Sequence, residues 1–174
     1  MNIVLIGTIG SGKTTVGKAI SEISGFKFVD TDDVANERTV LEMKGGMFNY
    51  FHYARLFCRI EPEVLNEMAG EDGLVIATGA LSASHKSSMA RLRENSIIIR
   101  LQPDVETVIA RAKRENRGYL VMEGESYEEA IARDYRTYLG QYMDYDYSFE
   151  VSDEETPEEY ARRILECVKN FTRL

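Results

Sequence analysis

The chain has 174 residues, of which 44% are hydrophobic and 29% are charged, and its formal net charge at pH 7 is −8. These proportions are close to those of globular proteins and exclude a disordered or fibrous chain, while the length predicts a single domain. No apolar run approaches the roughly 20 residues of a membrane span, and the start of the chain lacks the basic segment of a signal peptide. The acidic balance argues against a broad nucleic-acid-binding surface. We therefore expect a cytoplasmic protein with no membrane or nucleic-acid partner, either a monomer or a weak dimer.

The two cysteines and two histidines do not have the spacing of a metal site. Cys58 and Cys167 lie far apart, and His52 and His85 belong to no ligand motif. We expect two buried thiols, in keeping with a reducing compartment, and no zinc site built by the protein.

In chain order, short apolar runs alternate with stretches of helical spacing. Five runs predict buried parallel strands: Asn2–Ile6, Lys27–Asp30, Leu74–Ala77, Ser96–Leu101 and Tyr147–Val151. Helices are predicted from Lys13 to Gly25, from Thr31 or Asp32, over most of Met47–Ala69, after Pro103, from Ser126 and from Pro157. This alternation predicts an α/β fold in which helices cover both faces of a parallel sheet, with ligands beyond the carboxyl ends of the strands.

A glycine-rich loop follows the first strand and opens the first helix. It reads Gly7-Thr8-Ile9-Gly10-Ser11-Gly12-Lys13-Thr14 and matches the phosphate-loop (P-loop) pattern G-x-x-x-x-G-K-[ST] in full. Glycines let successive N–H groups converge on phosphate oxygens, and the helix N-terminus adds its positive end. Lys13 supplies a mobile cation, and Thr14 offers a hydroxyl to Mg²⁺. We predict ATP and Mg²⁺ as cofactors, with the nucleotide held by Gly7, Gly10, Ser11, Gly12, Lys13, Thr14 and Thr15.

The sequence lacks the motifs that are typical of other classes of nucleotide-binding protein. There is no Asn-Lys-x-Asp for reading guanine, and the one Asp-Glu pair, Asp153-Glu154, follows a polar serine rather than an apolar strand. This leaves a small kinase that moves the γ-phosphoryl group of ATP to a small-molecule acceptor. Two other classes stay open: a nucleotide hydrolase used as a switch, and a binding protein that has lost catalysis.

Several motifs resemble those of the shikimate kinase family, in the nucleoside monophosphate kinase branch of P-loop proteins. They are the phosphate loop, the strand ending Phe28-Val29-Asp30-Thr31-Asp32 and the strand running into Thr78-Gly79. The resemblance spans nearly the whole chain and implies a three-layer α/β/α fold with a five-stranded parallel sheet of order 2-3-1-4-5. It also implies one kinase domain over residues 1–174, an acceptor-binding helical insert at about residues 32–70 and a lid at about residues 113–126.

The resemblance also implies roles for individual side chains. Asp30 holds Mg²⁺ through water, while Asp32 binds the acceptor hydroxyl and helps to position or deprotonate it. Arg117 closes over the phosphates, and Arg111 lies near the adenine. Gly79 belongs to the acceptor platform, the backbone segment Gly79-Ala80-Leu81 against which the acceptor lies. Phosphoryl transfer needs mainly positioning and charge neutralisation, plus an acceptor for the hydroxyl proton. The expected catalytic residues are Lys13, Asp32 and Arg117. A purely structural role for the aspartates, in the first turn of a helix, stays open.

Three segments depart from the family's motifs. Cys58 replaces the arginine of Phe-Arg-x-x-Glu that grips the shikimate carboxylate, Gly79-Ala80-Leu81 replaces a triple glycine, and Tyr138-Leu139-Gly140-Gln141-Tyr142 replaces Arg-x-Pro-Leu-Tyr. Arg55 lies one helical turn before Cys58, and Arg59 projects roughly 100° away from it. We expect a small-molecule acceptor, with Asp32, Arg55, Arg59 and Gly79 as its candidate residues.

A nucleoside monophosphate is the alternative acceptor. Phe48, Tyr50, Phe51 and Tyr53 crowd the start of the third helix, where such a cluster usually joins the core but would also suit a stacked nucleobase. The stretch from Gly124 to Tyr142 resembles the lid-proximal helix of cytidylate kinases. A nucleotide acceptor would need Arg55 and Arg59 to clamp its phosphate.

Overall fold

The structure is a computed structural model and describes residues 1–43 and 49–171. Its strands are β1 (Asn2–Ile6), β2 (Lys27–Asp30), β3 (Leu74–Ala77), β4 (Ser96–Gln102) and β5 (Tyr147–Glu150). The helices of these residues are α1 (Lys13–Ser24), α2 (Thr31–Glu42), α3 (Tyr50–Met68), α4 (Lys86–Arg93), α5 (Val105–Arg114), α6 (Tyr127–Leu139) and α7 (Pro157–Phe171). The predicted strands are therefore confirmed to within one residue at each end.

The strands form one parallel sheet in the order β2-β3-β1-β4-β5. Val4 in the central strand lies opposite Ile76 of β3 on one side and Ile98 of β4 on the other. Every residue of β1 is buried, as is typical of a parallel strand covered on both faces. The predicted strand order and the three-layer α/β/α architecture are thus confirmed.

Alternate residues of β1 enter two separate cores. Ile3 and Leu5 pack with α1 and α7 on one face of the sheet. Val4 and Ile6 pack with α3 on the other face, against residues such as Val64. Each fully buried side chain of this size stabilises the fold by about 1.5–3 kcal/mol. The sheet therefore forms a rigid support for the loops at its carboxyl edge.

Helix ends follow the sequence signals closely. Ser126 and Glu129 form the predicted capping box at the start of α6, through hydrogen bonds of 3.2 Å and 2.8 Å. Gly25 ends α1 with a φ of 77°, a left-handed conformation that suits glycine. Pro62 lies inside α3.

The expected burial of both cysteines is wrong for one of them. Cys58 is exposed rather than buried, while Cys167 is partly buried. Tyr50 and Phe51 have 69% and 84% of their surface exposed, so they do not join the core. Phe48, the first member of that aromatic cluster, lies outside the described residues. None of the helices in residues 1–43 and 49–171 is long and apolar enough to cross a membrane.

Candidate active site

A cavity of about 620 Å³ opens at the carboxyl ends of the strands. This volume is in the range, about 300–1,000 Å³, that is usual for small-molecule sites. The cavity is lined by groups that the sequence singled out, among them Lys13, Thr14, Thr15, Asp30, Asp32, Arg111 and Arg117. Residues far apart in the chain therefore meet around one space.

The phosphate loop has a shape that requires glycine. Gly10 and Gly12 have φ angles of 78° and 91°, in the left-handed region that other residues rarely adopt. A Cβ at Gly7 would lie 2.7 Å from the hydroxyl oxygen of Ser11, which is itself buried under the loop. The Lys13 ammonium donates to the Gly7 carbonyl at 2.8 Å, and its burial lowers the pKa of Lys13 to about 8. Lys13 is thus held at the mouth of the loop.

Thr14 and Asp30 bring two oxygen ligands together. The Thr14 hydroxyl donates to Asp30 Oδ2 at 2.7 Å, and Asp30 Oδ1 accepts from the Asp32 N–H at 3.1 Å, which caps α2. Hydroxyl and carboxylate oxygens suit Mg²⁺, which proteins commonly bind through one or two such groups plus phosphates and water. Among the described residues, no group of three or more His, Cys, Asp or Glu side chains is arranged to hold a metal. The site therefore fits a metal that phosphates help to bind.

Asp32 and Gly79 are in very close contact. Asp32 lines the cavity and much of its surface is exposed. Its carboxyl group, however, packs against the backbone of Gly79. A Cβ at Gly79 would overlap Asp32 Oδ1 and lie 2.7 Å from Glu61 Oε1. Burial of the carboxyl group and, next, the negative charge of Glu61 raise the pKa of Asp32 to about 6. A carboxylate with this pKa is able to exchange a proton near neutral pH.

Two arginines approach the phosphate loop from above. A Cβ at Gly10 would lie 3.6 Å from Arg117 Nη1, and one at Gly12 would lie 3.6 Å from Arg111 Nη1. Arg111 donates to the Gly10 carbonyl at 3.0 Å and to Asp153 Oδ1 at 2.7 Å. The two guanidinium groups therefore lie where they would meet negative charge on a nucleotide's phosphates.

The segment that carries Arg117 is tied to α6. The Tyr127 hydroxyl donates to the Arg117 carbonyl at 2.6 Å. Arg133 pairs with Glu125 at 2.6 Å and donates to the Leu120 carbonyl at 3.0 Å. Arg133 thus braces the segment after α5 rather than facing the cavity.

The two arginines of α3 are in different environments. Arg59 pairs with Glu42 at 2.5 Å and with Glu63 at 3.0 Å on the exposed side of α2 and α3. Neither Arg59 nor Arg55 lines the cavity. Arg55 is exposed and makes no ion pair in the described part of the chain. Arg55 is therefore free to bind a ligand, whereas Arg59 is already engaged.

Sequence reasoning assigned no role to a buried carboxylate beside the cavity, Glu61, which stands at the glutamate position of the family's Phe-Arg-x-x-Glu segment. Glu61 is 1% exposed, and its two oxygens contact Ser82 and His85. A glutamate on the apolar face of α3, next to Ile60 and before Val64, was the available signal. A second missed residue, the buried Tyr142, donates its hydroxyl hydrogen to the Ala80 carbonyl.

Comparison with known proteins finds relatives that match nearly the whole chain. A sequence profile of the shikimate kinase family matches residues 9–169. The shikimate kinase of Thermodesulfovibrio yellowstonii is 34% identical over 174 residues, which cover 99% of this chain and 96% of that protein. The solved shikimate kinase of Acinetobacter baumannii, in complex with shikimate, is 27% identical with a TM-score of 0.74, covering 97% of this chain and 93% of that one. The shikimate kinase of Bacteroides thetaiotaomicron, 21% identical, shares the fold with a TM-score of 0.77 over 97% of this chain and 98% of its own.

Proposed function

The chain belongs to the shikimate kinase family, and from this premise we propose that it transfers the γ-phosphoryl group of ATP to a hydroxyl group of shikimate. Membership makes it an ATP-dependent kinase that acts on a hydroxyl of a small molecule. The convergence of Lys13, Asp32 and Arg117 on one cavity carries the proposal. The relative solved with shikimate supports the choice of acceptor.

The nucleotide half of the site consists of the loop from Gly7 to Thr15. In the proposal, the backbone N–H groups of the loop hold the phosphates, and Lys13 binds the transferring group. Thr14 and Asp30 hold Mg²⁺, which when bound neutralises charge on the phosphates. In the proposal, Arg111 lies between the phosphates and the adenine, with its guanidinium group held by Asp153.

The transfer step uses Asp32 and Arg117. The acceptor oxygen forms a bond to the γ-phosphorus as the bond from that phosphorus to the ADP oxygen breaks. The hydroxyl proton passes to the Asp32 carboxylate, whose pKa of about 6 keeps it largely ionised at pH 7. Arg117 neutralises the charge that spreads over the phosphoryl oxygens.

The acceptor side consists of Asp32 and Arg55, in the helical insert at about residues 32–70, together with Gly79 after β3. The lid at about residues 113–126 closes over the phosphates. Arg55 binds the shikimate carboxylate in place of the arginine that the family has at Cys58. Arg59 is held by Glu42 and Glu63, so it contributes to the surface rather than to the acceptor. A nucleoside monophosphate would need both arginines for its phosphate, and the geometry therefore favours shikimate.

A coupled ADP-release assay over a panel of acceptors tests the proposed function. With ATP and Mg²⁺, we expect ADP release that depends on shikimate and yields a phosphomonoester seen by ³¹P NMR. Nucleoside monophosphates, sugar acids and simple alcohols are the comparison acceptors. ADP release without any acceptor would indicate a hydrolase, and ATP binding without turnover would indicate a binding protein; either result contradicts the proposal.

A further inference from the structure

Glu61 is a buried carboxylate that the transfer step does not use. Its Oε1 accepts a hydrogen bond from the Ser82 hydroxyl at 2.7 Å, and its Oε2 lies 2.9 Å from His85 Nε2. Because a carboxylate only accepts, Nε2 is the donor. Only 1% of the Glu61 side chain is exposed, against 21% for His85. Both carboxylate oxygens therefore have a partner in place of water.

The partners of Glu61 lie on the same short turn as Gly79. Gly79 O accepts from Ser82 N at 3.2 Å, and Ser82 O accepts from His85 N at 3.0 Å. This turn follows β3 and leads directly into α4. Glu61 thus attaches α3 to two points of the turn that carries the acceptor platform.

The same carboxylate reaches the platform itself. A Cβ placed on Gly79 would lie 2.7 Å from Glu61 Oε1 and would also overlap Asp32 Oδ1. A displaced Glu61 side chain would therefore change the space in which Gly79 and Asp32 lie. Its charge also acts on Asp32, since Glu61 is the charged group with the largest effect in raising the pKa of that residue.

The cation in the preceding turn of α3, Arg59, pairs with Glu42 and Glu63 and does not contact Glu61. The residue three positions earlier, on a neighbouring part of the helix surface, is Cys58. A buried carboxylate without a partner is strongly destabilising, because it loses its hydration and gains nothing in return. His85, from another part of the chain, therefore provides the hydrogen-bond donor that Glu61 Oε2 needs.

We propose that His85, assisted by Ser82, is a positioning residue of the acceptor site. It fixes the buried Glu61 carboxylate, which forms the wall behind Gly79 and Asp32. His85 acts through Glu61 and does not touch the reacting atoms. The inference rests on the proposed function, which places Asp32 and Gly79 at the acceptor.

Replacing His85 tests this inference in kinetics. His85→Leu removes the hydrogen bond, while His85→Gln retains a side-chain N–H at the position of Nε2. Since a hydrogen bond to a buried charged group is lost, we expect His85→Leu to raise KM for shikimate by about tenfold or more, with KM for ATP within about twofold of the wild-type value. His85→Gln is expected to restore KM to within about threefold. His52→Leu, at the chain's other histidine on the exposed start of α3, is the matched control and should match the wild type.

A merely structural role would give a different result. Loss of folded enzyme lowers kcat and the unfolding temperature but leaves KM for shikimate unchanged, and that outcome would overturn the inference. Failure of His85→Gln to restore KM would overturn it equally. If His85→Leu does not fold, Ser82→Ala removes the other hydrogen bond of Glu61, and a KM raised about threefold is then expected.

A second measurement separates this inference from the proposed function. The Gly79 amide lies beside both carboxylates, so its ¹H–¹⁵N resonance reports the position of Glu61 without any acceptor. We expect it to move in His85→Leu and to stay near its wild-type position in His85→Gln and His52→Leu. If the wild-type enzyme does not phosphorylate shikimate, the proposed function fails, and the Gly79 resonance decides the positioning role: an unchanged resonance in His85→Leu rejects it.

Discussion

Asp32 Oδ1 lies against Gly79 so closely that no side chain fits between them. The two residues come from different strand ends, since Asp32 follows β2 and Gly79 follows β3. Their contact is reinforced by the Gly79 N–H, which donates to the Thr31 hydroxyl at 3.1 Å. The proposed base, Asp32, and Gly79 of the acceptor platform therefore form one structural unit, in which neither residue can move without affecting the other.

Substituting alanine for Gly79 is expected to damage this unit. The new Cβ would overlap Asp32 and press on Glu61, so both carboxylates must shift. We expect Gly79→Ala to lower kcat/KM for shikimate by about 100-fold or more, while ATP affinity changes by less than about threefold, because misplacement of about 1 Å has effects of this size. Gly140→Ala is the control, since a Cβ at Gly140 meets nothing within 4 Å. Equal activity of the two variants would show that the contact does not matter for turnover.

Asp32→Asn should separate catalysis from nucleotide binding. Asparagine retains the shape but cannot accept the hydroxyl proton, so we expect kcat to fall by about 100-fold or more and the ATP dissociation constant to stay within about threefold. Single-turnover kinetics and calorimetry with ATP measure the two quantities. Asp33→Asn, at the exposed neighbouring position, serves as the control. A parallel loss of ATP affinity would indicate a helix cap rather than a base.

The pH dependence of Asp32 gives a further prediction. The fold raises the pKa of this carboxyl from 3.8 to about 6, so ionised Asp32 is disfavoured in the native state. The contribution of Asp32 to the free energy of unfolding is therefore largest below about pH 4, and it is lost as the pH rises through about 6. The unfolding temperature of Asp32→Asn should therefore rise relative to the wild type between pH 4 and pH 7. In the wild type, kcat/KM should decline below about pH 6 as the base becomes protonated. Thermal unfolding at several pH values and a pH–rate profile check both statements.

Lys13→Ala is expected to abolish most phosphoryl transfer and to leave the fold intact. The ammonium of Lys13 is partly buried at a cost, as its lowered pKa of about 8 shows, so its removal should not lower the unfolding temperature. We expect kcat/KM to fall by at least about 100-fold, as for other charge-stabilising groups. Lys18→Ala, on the same helix but outside the cavity, is the control. Unchanged turnover in Lys13→Ala would remove this residue from the mechanism.

The two arginines of α3 provide a paired test of acceptor binding. Arg55→Ala is expected to raise KM for shikimate by about tenfold or more, because a charge-assisted bond to the carboxylate is lost. Arg59→Ala should leave KM within about twofold and change the unfolding temperature little, since its ion pairs with Glu42 and Glu63 are exposed. Initial-rate kinetics over a range of shikimate concentrations distinguish them. A larger effect at Arg59 than at Arg55 would contradict the assignment.

Local patterns predicted those parts of the molecule that depend on neighbouring residues. The phosphate loop, the strand ending at Asp30 and the capping box at Ser126 are such cases, because glycine geometry, apolar runs and caps are read within a few residues. Helix α4 was not predicted: its eight residues, KSSMARLR, are mostly polar, and few apolar positions mark its buried face.

The acceptor side shows where local patterns are insufficient. His85 belongs to no motif, and its role follows from contact with Glu61, 24 positions earlier in the chain. Tyr142 similarly meets Ala80 across 62 positions. The spacing of residues in the sequence does not predict such long-range contacts, because they depend on how α3, α4 and α6 pack around the sheet.

The single guanidinium of Arg111 joins the Gly10 carbonyl to Asp153 after β5. Opposite walls of the nucleotide cavity are thereby already linked before a ligand arrives. Because these two parts of the site are already joined, less entropy is lost in ordering them when the triphosphate binds.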